Sequence, residues 1–271
     1  MSLIDFDKIC GIAKDAGSVI MDIYNRDVEV EFKNDRSPLT EADKKSNELI
    51  IQSLELFYPN IPIISEENSE ISYSERSSWG EFWLIDPLDG TTNFAHNLPI
   101  FAISIGLIKD NTDTVCSVVY NPAANKCFYA EKNNGAFLNN NKINCTSSNT
   151  LTDSLLATGF PYLHDKRYDL YFNIFKDFYD ETRGIRRLGA ASLDLCFVAM
   201  GRFDGFYEYE LKPWDICAGA LIVNESGGNV TDWDGTKVPF SGSRILATNS
   251  KIHSKMIEIL TKKEYQLFFN V

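Results

Sequence analysis

Two short apolar runs in this chain each end in paired acids. Ile63-Ile64-Ser65 leads into Glu66-Glu67, and Phe82-Trp83-Leu84-Ile85 leads into Asp86-Pro87-Leu88-Asp89-Gly90. Like charges held close together destabilise each other, so acids spaced this way on a stiff turn favour a bound cation. Hard divalent cations such as Mg²⁺ take oxygen ligands, often one or two carboxylates, and leave positions open for phosphate oxygens. The competing reading is an ordinary turn, because Asp, Pro and Gly are common turn residues. A second acid-ended run just upstream tips the balance toward a metal site. No histidine or cysteine cluster accompanies these acids, so the set suits Mg²⁺ far better than zinc. His96, His164 and His253 are scattered, and Cys10, Cys116, Cys127, Cys145, Cys196 and Cys217 show neither a C-x-x-C pair nor zinc spacing. The cysteines sit mostly within apolar runs and read as reduced core residues.

The elements that must position the acids follow from periodicity. The run Phe82–Ile85 is too short for a helix and reads as a buried strand. Pro87 cannot donate to a ladder and Gly90 permits a tight turn, which predicts that the strand ends before Asp86 and a loop begins there. Ile9, Ile12, Ala13, Ala16, Val19, Ile20 and Ile23 recur at helical spacing and predict an amphipathic helix over 5–25. A half-exposed strand is expected over 28–32, a polar loop over 33–38, and a second helix from Thr40 to about Phe57. Strands over 101–108, 115–120 and 126–131 follow. The second half alternates: strand 154–158, helix 166–180, strand 184–188, helix 190–200, strand 203–208 and helix 214–227. Two short strands and a helix over 250–261 close the chain. This alternation implies layered sheets covered by helices. The polar stretch from Asn139 to Thr152 marks a boundary, giving halves of 1–145 and 146–271.

Composition narrows the function. With 271 residues, 44% hydrophobic and 24% charged, the chain can bury a substantial core. A net charge of −12 argues against direct nucleic-acid binding and against an anionic membrane surface. An acidic protein acting on phosphate esters is less paradoxical if some carboxylates hold metal ions. No apolar run approaches membrane-spanning length, and nothing near Met1 looks like a signal peptide, so a cytoplasmic protein is expected.

Asp86-Pro87-Leu88-Asp89-Gly90-Thr91-Thr92-Asn93 resembles a motif of the inositol monophosphatase family. Glu66-Glu67 before it, Leu188-Gly189-Ala190-Ala191-Ser192, and Trp214-Asp215-Ile216-Cys217-Ala218-Gly219-Ala220 after it complete the resemblance, which covers nearly the whole chain. It implies an α+β fold, a layered α/β/α/β/α sandwich with the site between its halves, and a homodimer. It also implies a Mg²⁺-dependent phosphomonoesterase holding about two or three ions. On this resemblance Glu66, Asp86, Asp89, Asp215 and the Leu88 carbonyl are metal ligands, and Glu67 reaches a metal through water. Thr91 with Asp43 positions and deprotonates the attacking water. The amides of Gly90 and Thr91 bind phosphate, and Gly189, Ala190, Ala191 and Glu208 contact a hydroxyl-bearing leaving group. Two of these acids have structural readings beside the chemical ones. Thr40 and Asp43 fit a helix N-cap pair, and Asp215 follows Lys212-Pro213 as a helix N-terminal acid.

The implied reaction is hydrolysis of inositol 1-phosphate or another small phosphorylated polyol. The stretch from Lys33 to Asp43 is instead reminiscent of 3′(2′),5′-bisphosphate nucleotidases. Adenosine 3′,5′-bisphosphate, fructose 1,6-bisphosphate (the fructose-1,6-bisphosphatase reaction) and histidinol phosphate are the alternative substrates. A rival of another class is a regulatory, protein-binding role without essential turnover, because some bacterial relatives are linked to the transcription machinery.

Overall fold

The apolar face expected near the start is realised in helix α1 (Phe6–Tyr24), where Ile9, Ile12, Ala13, Ala16, Ile20 and Ile23 are all buried. A computed structural model describes residues 4–24, 26, 30–33, 38–68, 79–110, 112–162, 165–238 and 243–269. Part of the strand expected over 28–32, most of the 33–38 loop and His164 lie outside these residues. Helix α2 (Glu41–Phe57) starts at a full capping pair. The Thr40 hydroxyl accepts from Ala42 N, and the Asp43 carboxylate accepts from Thr40 N at 2.8 Å.

Among the described residues there are two large sheets and a small antiparallel pair, β1 (Glu31–Phe32) with β2 (Pro38–Leu39). The first large sheet runs in chain order from β3 (Ile63–Ser65) and β4 (Glu81–Asp89) through β5 (Ala102–Lys109), β6 (Asp113–Asn121) and β7 (Lys126–Glu131) to β8 (Gly135–Leu138) and β9 (Asn141–Lys142). Only β3–β4 is parallel; the remaining pairs are antiparallel. The second sheet is built from β10 (Leu155–Thr158), β11 (Gly184–Arg186), β12 (Gly205–Leu211), β13 (Asn229–Thr231) and β14 (Ser243–Thr248), in the order β11-β10-β12-β14-β13.

Strand β4 departs from the sequence expectation. It does not stop at Ile85 but continues through Pro87 to Asp89, opposite β5. The register shifts between Asp86 and Asp89, and that bulge houses the proline, whose missing N–H would break a regular ladder. Leu88 is buried in the core beneath α1 and α2, which holds the end of the strand down.

Five layers result. Helices α1 and α2 cover one face of the first sheet. Between the two sheets lie α5 (Ala191–Ala199) and α6 (Pro213–Glu225), in a core drawn from both halves of the chain. Helices α4 (Tyr168–Glu181) and α7 (His253–Leu260) cover the far face of the second sheet. A short helix α3 (Thr91–Ala95) follows the end of β4. The expected helices and strands thus form within a few residues of their predicted limits, as an α/β/α/β/α sandwich. Helices α5 and α6 are apolar nearly all round, as burial between two sheets demands.

Helices α5 and α6 approach each other closely at Gly219. A Cβ there would lie 2.6 Å from Leu195 Cβ. Replacing glycine by alanine inside a helix gains about 1 kcal/mol in propensity, whereas overpacking a tight core costs about 1–3 kcal/mol. Steric cost outweighs propensity here, and Gly219→Ala is expected to lower the melting temperature in calorimetry by a few degrees. An unchanged or higher melting temperature would show that the two helices have room to spare.

Candidate active site

Strand register brings the acids together. Ser65 of β3 lies opposite Ile85 of β4, so Glu66, which opens a 3₁₀ turn (Glu66–Asn68), falls beside Asp86. Asp86 in turn pairs with Ser104 of β5, and the Ser104 hydroxyl donates to the Trp214 carbonyl at 3.2 Å. That bond fixes the start of α6, where Asp215 stands in the first turn after Pro213. Carboxylate oxygens of Glu66, Asp86 and Asp215 consequently lie within 4.8 Å of one another.

Burial pushes the Asp86 and Asp215 carboxyls well above the ordinary range, and the neighbouring charges of Glu66 and Asp89 add to the shift. Each keeps one fixed donor: Leu88 N to Asp86 Oδ1 at 3.0 Å and Lys212 N to Asp215 Oδ2 at 2.7 Å. These are too few to offset so much negative charge. A hard, oxygen-seeking divalent cation fits the three-acid group, and among the described residues no sulfur or imidazole belongs to the group.

Asp89 stands slightly apart. Its Oδ2 accepts from Ser192 N at 2.8 Å and from the Ser192 hydroxyl, tying β4 to the start of α5. Burial raises its carboxyl to about 6, against the pull of those hydrogen bonds. Glu67 is turned toward Lys33, whose Nζ donates to Glu67 at 2.8 Å and to Glu66 at 2.7 Å. Burial works against the Lys33 ammonium, but the two glutamates outweigh it and hold its pKa above the usual value.

Asp43 serves two neighbours at once. One oxygen caps α2, and the other lies 3.0 Å from Thr91 Oγ1, which also sits 3.0 Å from the Leu88 carbonyl. Burial, partly opposed by the hydrogen bonds from Thr40, raises its carboxyl to about 7. Gly90 has a φ of +88°, and a Cβ there would meet the Ile100 carbonyl at 2.8 Å, so the turn into Thr91 requires glycine. Asn93 Nδ2 donates to the Ile100 and Leu188 carbonyls, each at 2.8 Å, and thereby holds the Gly189–Ala191 segment against this turn.

A cavity of about 440 Å³ is lined by Glu66, Asp86, Leu88, Asp89, Gly90, Thr91, Gly189, Ala190, Ala191, Glu208 and Asp215. Asp43 and Glu67 are not in its lining; each touches it through a neighbour, Thr91 and Lys33 respectively. Burial raises the Glu208 carboxyl to about 8, with Arg187 the cation opposing the shift. Sequence reasoning missed Lys33, Arg187 and Tyr162, all of which line the cavity. Arg187 borders the Leu188–Ser192 motif, and that adjacency was its available signal. Asp194, buried with an oxygen that has no partner among the described residues, was missed as well. His96 is exposed, and His253 is held between Thr231 and Thr248 at 2.9 Å each, so neither joins the site.

The raised acids set a pH dependence. In the metal-free protein the folded state holds protons that the unfolded chain releases above about pH 4. Their contribution to stability is therefore complete below that pH. It is lost as pH rises through the folded values of about 6 for Asp89, about 7 for Asp43 and about 8 for Glu208. In chelator, the melting temperature is expected to fall between about pH 5.5 and about pH 8, and Mg²⁺ should restore more of it at the higher pH, because binding requires the ionised acids. A flat profile in chelator, with no Mg²⁺ effect, would contradict this electrostatic picture.

Comparisons with known proteins converge on one family. A sequence model described as the inositol monophosphatase family matches residues 4–265. A protein of Neisseria meningitidis serogroup B named putative Nus factor SuhB is 42% identical over 234 residues, covering 86% of this chain and 88% of its own. The inositol-1-monophosphatase of Rhizobium meliloti is 36% identical over 251 residues, covering 93% and 91%. Among solved structures, the Thermotoga maritima IMPase superposes with a TM-score of 0.86 at 30% identity, covering 97% of this chain and 98% of that one. On these matches the chain belongs to the inositol monophosphatase family.

Proposed function

We propose that the protein is a Mg²⁺-dependent phosphomonoesterase that hydrolyses inositol 1-phosphate or a closely related phosphorylated polyol. The observation carrying this reading is the placement of the Glu66, Asp86 and Asp215 carboxylates on the same cavity as Thr91, whose hydroxyl is hydrogen-bonded to Asp43 behind it. Relatives named inositol-1-monophosphatase at 36% and 39% identity support it. Glu66, Asp86 and Asp215, with Asp89 and the Leu88 carbonyl beside them, would hold the metal. A divalent cation bound there supplies neutralisation of the phosphate oxygens and a lowered pKa for water.

This chain's own residues supply the rest. Thr91 Oγ1 accepts a proton from the attacking water and passes its own to Asp43 Oδ1. A carboxyl with a pKa near 7 suits such a base at neutral pH. Glu67, held by Lys33, anchors the position of Glu66. The open backbone at Gly90 and Thr91 lets amides approach the phosphate. Gly189, Ala190 and Ala191 leave room for the leaving alcohol, whose hydroxyls donate to Glu208.

Several coarser features accompany the proposal. We take 1–145 and 146–271 as two halves that meet at the cavity. Six free cysteines suit a reducing compartment such as the cytoplasm. A homodimer is the assembly that membership of this family leads us to expect. A second reading, a role in binding another protein, draws on the relatives named Nus factor.

Asp86→Asn and Asp215→Asn are expected to lower phosphate release with Mg²⁺ by at least about 100-fold, since even an outer partner of a metal ligand is worth 10–100-fold. Circular dichroism should show the fold intact. Turnover at the unsubstituted rate in either variant would remove the basis of the site. A release assay across inositol 1-phosphate, adenosine 3′,5′-bisphosphate, fructose 1,6-bisphosphate and histidinol phosphate is expected to favour the first. A protein that hydrolyses none of them yet captures a protein partner would support the second reading. Light scattering should give twice the chain mass of 30.7 kDa, and a single-chain mass would refute the dimer.

A further inference from the structure

Glu208, on β12, lines the same cavity and is a buried residue, only 8% exposed. Among the described residues no hydrogen bond reaches that carboxylate, and Arg187 is the cation that opposes the effect of its burial. A buried, unpartnered carboxylate is costly and leaves its position only weakly fixed by polar contacts. What fixes it is shape. Strand β10 runs parallel to β12 with Thr158 opposite Tyr207, so the next residue along, Gly159, lies beside Glu208.

A Cβ built on Gly159 would lie 2.1 Å from both Glu208 carboxylate oxygens and 2.2 Å from Cδ. The carboxylate therefore rests on bare backbone. Backbone conformation does not explain the glycine, because its φ lies outside the left-handed region that makes Gly90 and Gly189 necessary. All three of the nearest atoms belong to Glu208, the far end of a flexible side chain rather than a rigid wall. A methyl group at 159 is thus accommodated by a swing of Glu208, which spares the fold and alters the cavity.

We propose that Gly159 is a specificity-determining position, a notch whose missing side chain seats the Glu208 carboxylate where it meets the hydroxyls of the leaving alcohol. This inference rests on the phosphatase reading of the cavity. Gly159 is a positioning residue, acting on substrate only through Glu208.

The test compares Gly159→Ala, Glu208→Ala and the double variant on two esters: inositol 1-phosphate, and 4-nitrophenyl phosphate, whose leaving group has no hydroxyl to donate before cleavage. Gly159→Ala is expected to lower kcat/KM for inositol 1-phosphate at least about tenfold more than for 4-nitrophenyl phosphate, the scale of leaving a buried hydrogen-bonding group unsatisfied. In the Glu208→Ala background the same change should add less than about twofold, because variants acting through one contact are not additive. A crystal structure of Gly159→Ala should show the Glu208 carboxylate displaced. A carboxylate that stays in place, additive losses, or equal losses on both esters would each overturn this inference alone. No turnover of either ester by the unsubstituted protein would overturn it together with the phosphatase reading.

Discussion

Three carboxylates from different elements share a space in which none is stable alone. Glu66, Asp86 and Asp215 approach within 4.8 Å, and burial makes the ionised forms of Asp86 and Asp215 still more unfavourable. Folding has to supply that convergence from elsewhere, through the pairing of β3 with β4, the Ser104 bond to Trp214 and the apolar anchoring of α6. Lys33, donating to Glu66 at 2.7 Å, offsets one of the three charges and leaves Asp86 and Asp215 for protons or a cation to compensate. An arrangement of this kind suits a hard cation, because the scaffold has already brought the oxygen ligands together.

Local chemistry was legible in the sequence, and contacts across the fold were not. Asp86, Asp89, Gly90 and Thr91 lie in one covalent stretch, so their types and spacing reported the turn and its acids directly. Periodicity was equally plain in α1, whose apolar positions all face inward. The end of β4 was misjudged because Pro87 marks where a ladder must break, while the bulge that lets it resume depends on β5. Lys33 read as loop polarity, because its partnership with Glu66 and Glu67 spans more than thirty positions. The bond between Asp89 and Ser192 was hidden for the same reason: nothing in either segment announces the other. Family resemblance supplied the grouping of the acids that spacing alone could not.

Asp43 shows why capping and catalysis need not be rival explanations. Its helix-capping bonds fix the carboxylate at the start of α2, and the same immobility aims the other oxygen at Thr91. Ser46 reinforces the placement, its hydroxyl donating to the Pro87 carbonyl at 2.8 Å. The cap thus stiffens the helix and directs a carboxylate oxygen at Thr91 through one set of contacts.

Helix α6 belongs to the cores of both sheets, and its first turn carries Asp215. A hinge between the sheets would have to bend through this shared helix and would pull an acid out of the group as it opened. Exchange of molecules that spares the three-acid group must therefore proceed without such a hinge, through side chains such as Tyr162, about half exposed, that line the cavity outside the shared helix.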